Sequence, residues 1–196
     1  MWQTKIVMTD SSNSSGIDIS RRRFVIGIAS VLAASMAVPI ITRPAHASVQ
    51  ARSLSFYHTH TGEKLAIDYH DGFAYIPDSL GEINQYLSDF RTGESHPIDP
   101  KLLDILHYLK QTTNSNGVFE VISGYRSPKT NAKLRNKSNG VAKRSLHMQG
   151  KAIDIRLTGC DTQKLHKACR SLAKGGVGYY NKSDFIHVDT GRVRHW

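Results

Sequence analysis

The chain has 196 residues, with 26 Lys and Arg against 16 Asp and Glu, a formal net charge of +10 at pH 7 and two cysteines. That length suits a single folded domain, and two cysteines exclude a disulfide-rich scaffold and a thiolate metal cluster. The basic balance fits an anionic partner, but no basic stripe is interleaved with aromatics and no nucleic-acid motif is present, so no nucleic-acid partner is expected.

The first 47 residues read as a removable address. Ser20-Arg21-Arg22-Arg23-Phe24 precedes a run from Val25 to Thr42 that holds no Asp, Glu, Lys or Arg, and Ala45-His46-Ala47 supplies the small-x-small pattern of a cleavage site. The pattern resembles a twin-arginine export signal, which implies the twin-arginine export machinery as a partner and the periplasm as destination. A run of this length could instead stay as an N-terminal anchor. The Ala-x-Ala site favours cleavage after Ala47, which leaves residues 48–196 with no stable membrane anchor. Cleavage removes five basic and two acidic residues and leaves a net charge of +7. That charge suits an anionic polymer such as the cell wall, and ordinary solubility accounts for it equally well.

In the mature chain, Ser53 to Tyr75 reads as a β-hairpin, with Thr61-Gly62-Glu63 as its turn. His58, His60 and His70 scatter over it without ligand spacing and are expected at the surface. Pro77 to Phe90 carries Leu80, Ile83, Tyr86, Leu87 and Phe90 at helical spacing. Asp99-Pro100 opens a second helix, with Asp99 as N-cap and Leu102, Leu103, Ile105, Leu106 and Leu109 as its core face. Val118 to Ile122 is a short strand that runs into Ser123-Gly124-Tyr125-Arg126-Ser127-Pro128, a loop suited to presenting the Arg126 guanidinium to a substrate carboxylate or to a local acid. Thr130 to Arg135 predicts a short basic helix. Ala152 to Leu157 alternates with period two, so Ala152, Asp154 and Arg156 share the face opposite Ile153, Ile155 and Leu157. Asp161 caps a helix through Lys174, and Gly175-Gly176 ends it. Cys169 lies on that helix's apolar face and is expected as a buried thiol, with its pairing to Cys160 left open. Val177 to Tyr180 and Phe185 to Asp189 form a last hairpin around Asn181-Lys182-Ser183. Short strands and segregated helices without a βαβ rhythm predict an α+β domain, a small antiparallel sheet with flanking helices.

The stretch Ser145 to Asp154 and the stretch Asp184 to Asp189 carry the chemistry. His147 and Asp154 stand seven residues apart and His187 follows 33 residues later. Two imidazoles and a carboxylate are three ligands for one zinc ion, with a fourth position left for water or substrate. Such an ion lowers the pKa of bound water and polarises a carbonyl, which is what amide hydrolysis requires. Two carboxylates flank the last ligand, Asp184 three residues before it and Asp189 two after, and either is a candidate base.

These residues also carry a resemblance. Ser-x-His-x-x-Gly-x-Ala-x-Asp at 145–154, Ser-Gly-Tyr-Arg-Ser at 123–127 and Asp-x-x-His at 184–187 are similar to the zinc D-Ala-D-Ala carboxypeptidase family (peptidase family M15). Gly-Val-Gly-Tyr-Tyr and His-Val-Asp-Thr-Gly narrow the likeness to its exported murein endopeptidase branch. The resemblance covers roughly residues 115–196 well and the first hairpin and helices loosely. It implies a hedgehog-type α+β fold, a single Zn2+ and cleavage of peptide cross-links in peptidoglycan; a monomer is expected. Position by position, it implies His147, Asp154 and His187 as the metal ligands, Asp184 as the acid that activates water in place of a more usual glutamate, and Arg126 as the group that steers a substrate carboxylate. Ser145 then orients the first ligand or touches substrate, or is a turn hydroxyl. On a regular strand Asp184 and His187 face opposite ways, so Asp184 needs a bend before Phe185, and otherwise Asp189 takes its role, the less favoured assignment. Two other functions stay open: a carboxypeptidase that trims a terminal D-residue, and a zinc-bearing peptidoglycan-binding module without turnover.

Overall fold

The computed structural model describes residues 50–138 and 140–196, so the expected export signal lies outside the described residues. In chain order the elements are β1 (Arg52–His58), β2 (Lys64–His70), α1 (Pro77–Tyr86), α2 (Pro100–Thr113), β3 (Phe119–Ser123), α3 (Pro128–Lys137), a 3-10 turn (Leu146–Gln149), β4 (Ala152–Leu157), α4 (Thr162–Leu172), β5 (Gly176–Tyr180), a second 3-10 turn (Asn181–Ser183), β6 (Phe185–Asp189) and β7 (Arg194–His195). The fold is α+β as expected. The sheet is larger than the sequence indicated, with seven strands in the order β2-β1-β3-β4-β6-β5-β7. Two of its pairings, β1 with β3 and β5 with β7, are parallel. Among the described residues no helix is long and apolar enough to cross a membrane.

One face of the sheet is the core face. Phe56, Phe119, Val121, Ile153, Ile155, Ile186 and Val188 point from the strands toward Leu102, Leu106 and Leu109 of α2 and Leu165 and Cys169 of α4, and all of them are buried. Period two therefore leaves Asp154, His187 and Asp189 on the other face. Both cysteines are free; burial pushes the Cys169 thiol up to about 12, so it stays a packed, unreactive group.

Local chemistry fixes the element ends. The Asp99 carboxylate accepts from the backbone N–H of Lys101, Ser127 accepts from Thr130, and Asp161 accepts from Lys164, each with a side-chain oxygen in the N-cap position. The first hairpin is held to α2 through Asp104, which accepts from Arg52 at 2.7 Å, from the Tyr69 hydroxyl at 3.0 Å and from the Tyr75 hydroxyl at 2.7 Å. His58 and His70 are buried, not exposed as expected: His58 Nδ1 accepts the backbone N–H groups of His60 and Thr61 at the hairpin turn, and His70 Nδ1 accepts that of Gly72. Burial lowers the His58 pKa, in keeping with a neutral acceptor.

The loop after β3 is pinned at both ends. Tyr125 N donates to Leu87 O at 2.8 Å, and a Cβ on Gly124 would collide with that same carbonyl, so only glycine admits this close approach. The buried Asp89 accepts from Ser127 N at 2.9 Å and from Arg91 N at 3.1 Å. Burial opposes its charge, but hydrogen bonds from Thr130 and Ser127 outweigh this and hold its carboxyl below the usual range.

Gly150 closes the 3-10 turn that carries His147. Its φ is +63°, and a Cβ there would run into the carbonyl oxygen of Pro97. A left-handed L-residue costs about 1–2 kcal/mol and overpacking about 1–3 more. Gly150→Ala is therefore expected to lose at least about 2 kcal/mol in urea unfolding. An unchanged midpoint and slope would show that this turn is not under the constraint described.

Candidate metal centre

Each of the three expected ligands is set by a different piece of backbone. His147 rides on the 3-10 turn, Asp154 on the centre of β4 and His187 on the centre of β6, and the antiparallel register puts Asp154 directly opposite His187. All three are buried. His147 Nδ1 lies 2.8 Å from Gly124 O. A carbonyl only accepts, so Nδ1 carries the proton and Nε2 presents its lone pair. His187 Nε2 lies 3.1 Å from the Asp189 carboxylate, so its proton sits there and Nδ1 is the free nitrogen.

The free atoms converge. His147 Nε2 is 3.2 Å from Asp154 Oδ1 and 3.2 Å from His187 Nδ1, and His187 Nδ1 is 2.9 Å from Asp154 Oδ1. Ligands about 2.0 Å from a tetrahedral ion lie about 3.3 Å from one another, so the spacing suits such an ion. Among the described residues this is the one group of three or more His, Cys, Asp or Glu side chains that could hold a metal.

The electrostatics favour a positive charge at that point. Burial opposes protonation of His187, but hydrogen bonds to Asp154 and Asp189 outweigh it and push its pKa up to about 9. Burial likewise opposes the Asp154 charge, yet the two histidines hold its carboxyl well below the usual range. Burial keeps the His147 pKa below its ordinary value. A cation between these groups, proton or metal, is thus stabilised by two carboxylates.

A groove of about 480 Å³ opens onto the cluster, lined among others by Arg126, Ser145, Tyr180 and Trp196. Arg126 Nη2 reaches Asp154 Oδ2 and Ser123 Oγ, each at 3.4 Å, while its Nε is buried without a partner. Ser145 is buried at the start of the 3-10 turn and makes no capping bond there. Both therefore border the space beside the three converging side chains.

A family model described as peptidoglycan L,D-endopeptidase MepK matches residues 46–196. The chain belongs to that family. It is 39% identical over 165 residues to the peptidoglycan L,D-endopeptidase MepK of Escherichia coli strain K12, covering 83% of this chain and 91% of the relative. The probable peptidoglycan L,D-endopeptidase MepK of Haemophilus influenzae is 42% identical over 146 residues, with 74% and 78% covered. Among solved structures, the Serratia marcescens L-Ala D-Glu endopeptidase ChiX is similar with a TM-score of 0.38 and 17% identity, covering 57% of this chain and 86% of that one.

In this member of the MepK family the two flanking aspartates part company. Asp184 is not brought to the cluster, which corrects the assignment favoured from the sequence. The required bend exists, since Asp184 has φ +49° at the end of the second 3-10 turn, but it turns the carboxylate away. There it accepts from the Thr162 hydroxyl and lies 3.8 Å from Arg156, with its side chain 65% exposed. Asp189 is fully buried beside His187 and is saturated. Its oxygens accept from Gly176 N at 3.0 Å, Gly191 N at 2.8 Å and both terminal nitrogens of Arg194 at 3.0 and 2.6 Å, besides His187. Burial opposes its charge, but the bonds from His187 and Arg194 keep it ionised well below the usual range. A carboxylate so occupied orients an imidazole and has no lone pair left to take a proton from water.

Sequence reading missed Tyr180, Arg194 and Trp196. The chain end returns to β5, where Trp196 N donates to Val177 O at 3.2 Å and Tyr179 N to Trp196 O at 3.1 Å. This seats the indole 5.4 Å from the His187 ring. The available signal was the Gly-Val-Gly-Tyr-Tyr segment, in which a Cβ on Gly178 would strike the indole. For Asp189→Asn we expect a 10- to 100-fold loss of metal affinity, the usual effect of removing a carboxylate behind a ligating histidine. Competition with a chromophoric chelator reads this directly, and unchanged affinity would deny Asp189 the orienting role.

Proposed function

We propose that the chain is a zinc-dependent murein endopeptidase that hydrolyses L,D peptide cross-links of peptidoglycan, exported by the twin-arginine route and acting as a periplasmic monomer. The observation that carries the reading is the convergence of His147 Nε2, Asp154 Oδ1 and His187 Nδ1 at the floor of a groove, in a chain of the MepK family. The relatives' name supplies the bond class, and the uncharged run ending at Ala45-His46-Ala47 supports export.

His147, Asp154 and His187 would hold the ion. When bound, zinc supplies a Lewis acid for the scissile carbonyl and a water made acidic enough to attack near neutral pH. Two imidazoles with one carboxylate form a borderline set that suits zinc better than calcium or magnesium. The chain's own residues do the rest. Asp189 keeps the His187 proton on Nε2, and Gly124 keeps the His147 proton on Nδ1, so neither ring can present the wrong nitrogen. Arg126 offers a guanidinium edge beside the ligands to a carboxylate of the peptide stem. Trp196 walls the groove on the His187 side.

Purified protein incubated with muropeptide dimers of each cross-link type, with and without chelator, tests the reading by mass. Chelator-sensitive splitting of the L,D-linked dimer is the expected outcome. Loss of a single terminal alanine would make it a carboxypeptidase, and no product from zinc-loaded protein would leave a binding module. His147→Ala is expected to lose at least about 10³-fold in turnover together with its metal. Asp184→Ala is expected to stay within about twofold of wild type, since surface changes away from the chemistry are usually mild. A hundredfold loss in Asp184→Ala with metal retained would return that residue to the mechanism.

A further inference from the structure

The groove poses a chemical question, because among the described residues lining it the only carboxylate is the ligand Asp154. Attack on an amide builds negative charge on the carbonyl oxygen, and enzymes meet that charge with donors already in place. Tyr180 is such a donor. Its ring stacks on Phe185 with centroids 4.6 Å apart and planes 14° from parallel, which fixes where the phenol points. Its oxygen accepts from Trp196 Nε1 at 3.1 Å. An indole N–H only donates, so the phenol is the acceptor in that contact and its own proton is left for another group. No protein acceptor for that proton occurs among the described hydrogen bonds, and Tyr180 lines the groove that holds the ligands. The same indole touches the His187 ring, so only one side chain separates the phenol from a ligand.

We propose that Tyr180 is a catalytic residue whose phenolic hydroxyl donates a hydrogen bond to the substrate carbonyl oxygen as charge develops there, with Trp196 as the positioning residue that aims it. The proposal rests on the endopeptidase reading. No proton is transferred: the bond strengthens as the oxygen gains charge and the phenol keeps its hydrogen. The C-terminal indole is built into this arrangement. Gly178 clears the space it fills, and Arg194 lies 5.0 Å over its ring.

The test compares wild type, Tyr180→Phe and Trp196→Phe on the dimer that wild type splits, with kcat and KM resolved. Removal of a donor used only in the transition state lowers kcat by about 10²-fold with little change in KM. Tyr180→Phe is expected to show this, with metal content and thermal midpoint as in wild type. Trp196→Phe keeps an aromatic ring against His187 but frees the Tyr180 O–H to turn about its C–O bond, and a smaller fall in kcat, about 3- to 10-fold, is expected. Binding of the dimer to metal-free Tyr180→Phe, measured by calorimetry, should match wild type. A kcat for Tyr180→Phe within tenfold of wild type, or a loss confined to KM, overturns the proposal while leaving the endopeptidase intact. Wild type that splits no dimer overturns both.

Discussion

The site depends on one register, the antiparallel pairing of β4 with β6 that sets Asp154 against His187 and Ile155 against Ile186. Side chains on a strand alternate, so a slip of one residue in β4 would send Asp154 into the core and bring Ile153 and Ile155 to the groove, and a slip in β6 would do the same with His187, Ile186 and Val188. The register is therefore held by the hydrophobic effect acting on the opposite face. Those four residues are wholly or almost wholly buried against α2 and α4. At about 25 cal/mol per Å² of apolar surface, that burial outweighs any single polar contact at the metal centre. Packing on one side of the sheet thus places the chemistry on the other, and a buried charge cluster that would be costly by itself is carried by a core that pays for it.

The third ligand is placed by loops and needs more local restraint. His147 lies on a single 3-10 turn, where no ladder defines its angle. Its restraint comes from backbone: Gly124 O accepts from Nδ1–H, Arg126 N donates to His147 O at 3.2 Å, and Asp99 N donates to Gly150 O at 2.9 Å. The loop that supplies Gly124 is itself pinned through Leu87 O and Asp89. One short segment thereby fixes His147 and carries Arg126, so the two side chains cannot shift independently. Rigid support of this kind is what a reacting geometry needs, since small misplacements are costly in rate.

The parts of this arrangement that follow a period were legible in the sequence. Ala152 to Leu157 alternates cleanly, and from it the direction of Asp154 followed; the Asp99-Pro100 start of α2 and the buried Cys169 came from capping and helical spacing in the same way. Asp184 failed because one left-handed residue precedes β6, and alternation says nothing about a side chain outside the strand. The position of His58 was misread because its partners are backbone N–H groups of its own turn, which composition does not reveal. The parallel pairings of β1 with β3 and β5 with β7 join segments through long connections or a strand of two residues, too short to show any pattern. Arg194 and Trp196 reach the site only through that last pairing, whereas Tyr180 is set by the pairing of β5 with β6.

The C-terminal segment is thus part of the site. Arg194 neutralises Asp189, Asp189 orients His187, and Trp196 packs on the His187 ring while holding the Tyr180 hydroxyl. Four side chains within 17 residues of sequence form a connected shell around a single imidazole. Without Arg194, Asp189 would be a buried carboxylate facing only backbone N–H groups and an imidazole, and its charge would draw His187 further toward the imidazolium, which cannot ligate a metal. The arginine balances that pull, so that His187 can give up its Nδ1 proton to an incoming cation while keeping the one on Nε2. The two-residue β7 that anchors it contributes little to the sheet. Its effect on the site is electrostatic, since it brings the Arg194 guanidinium to the side of His187 away from Asp154.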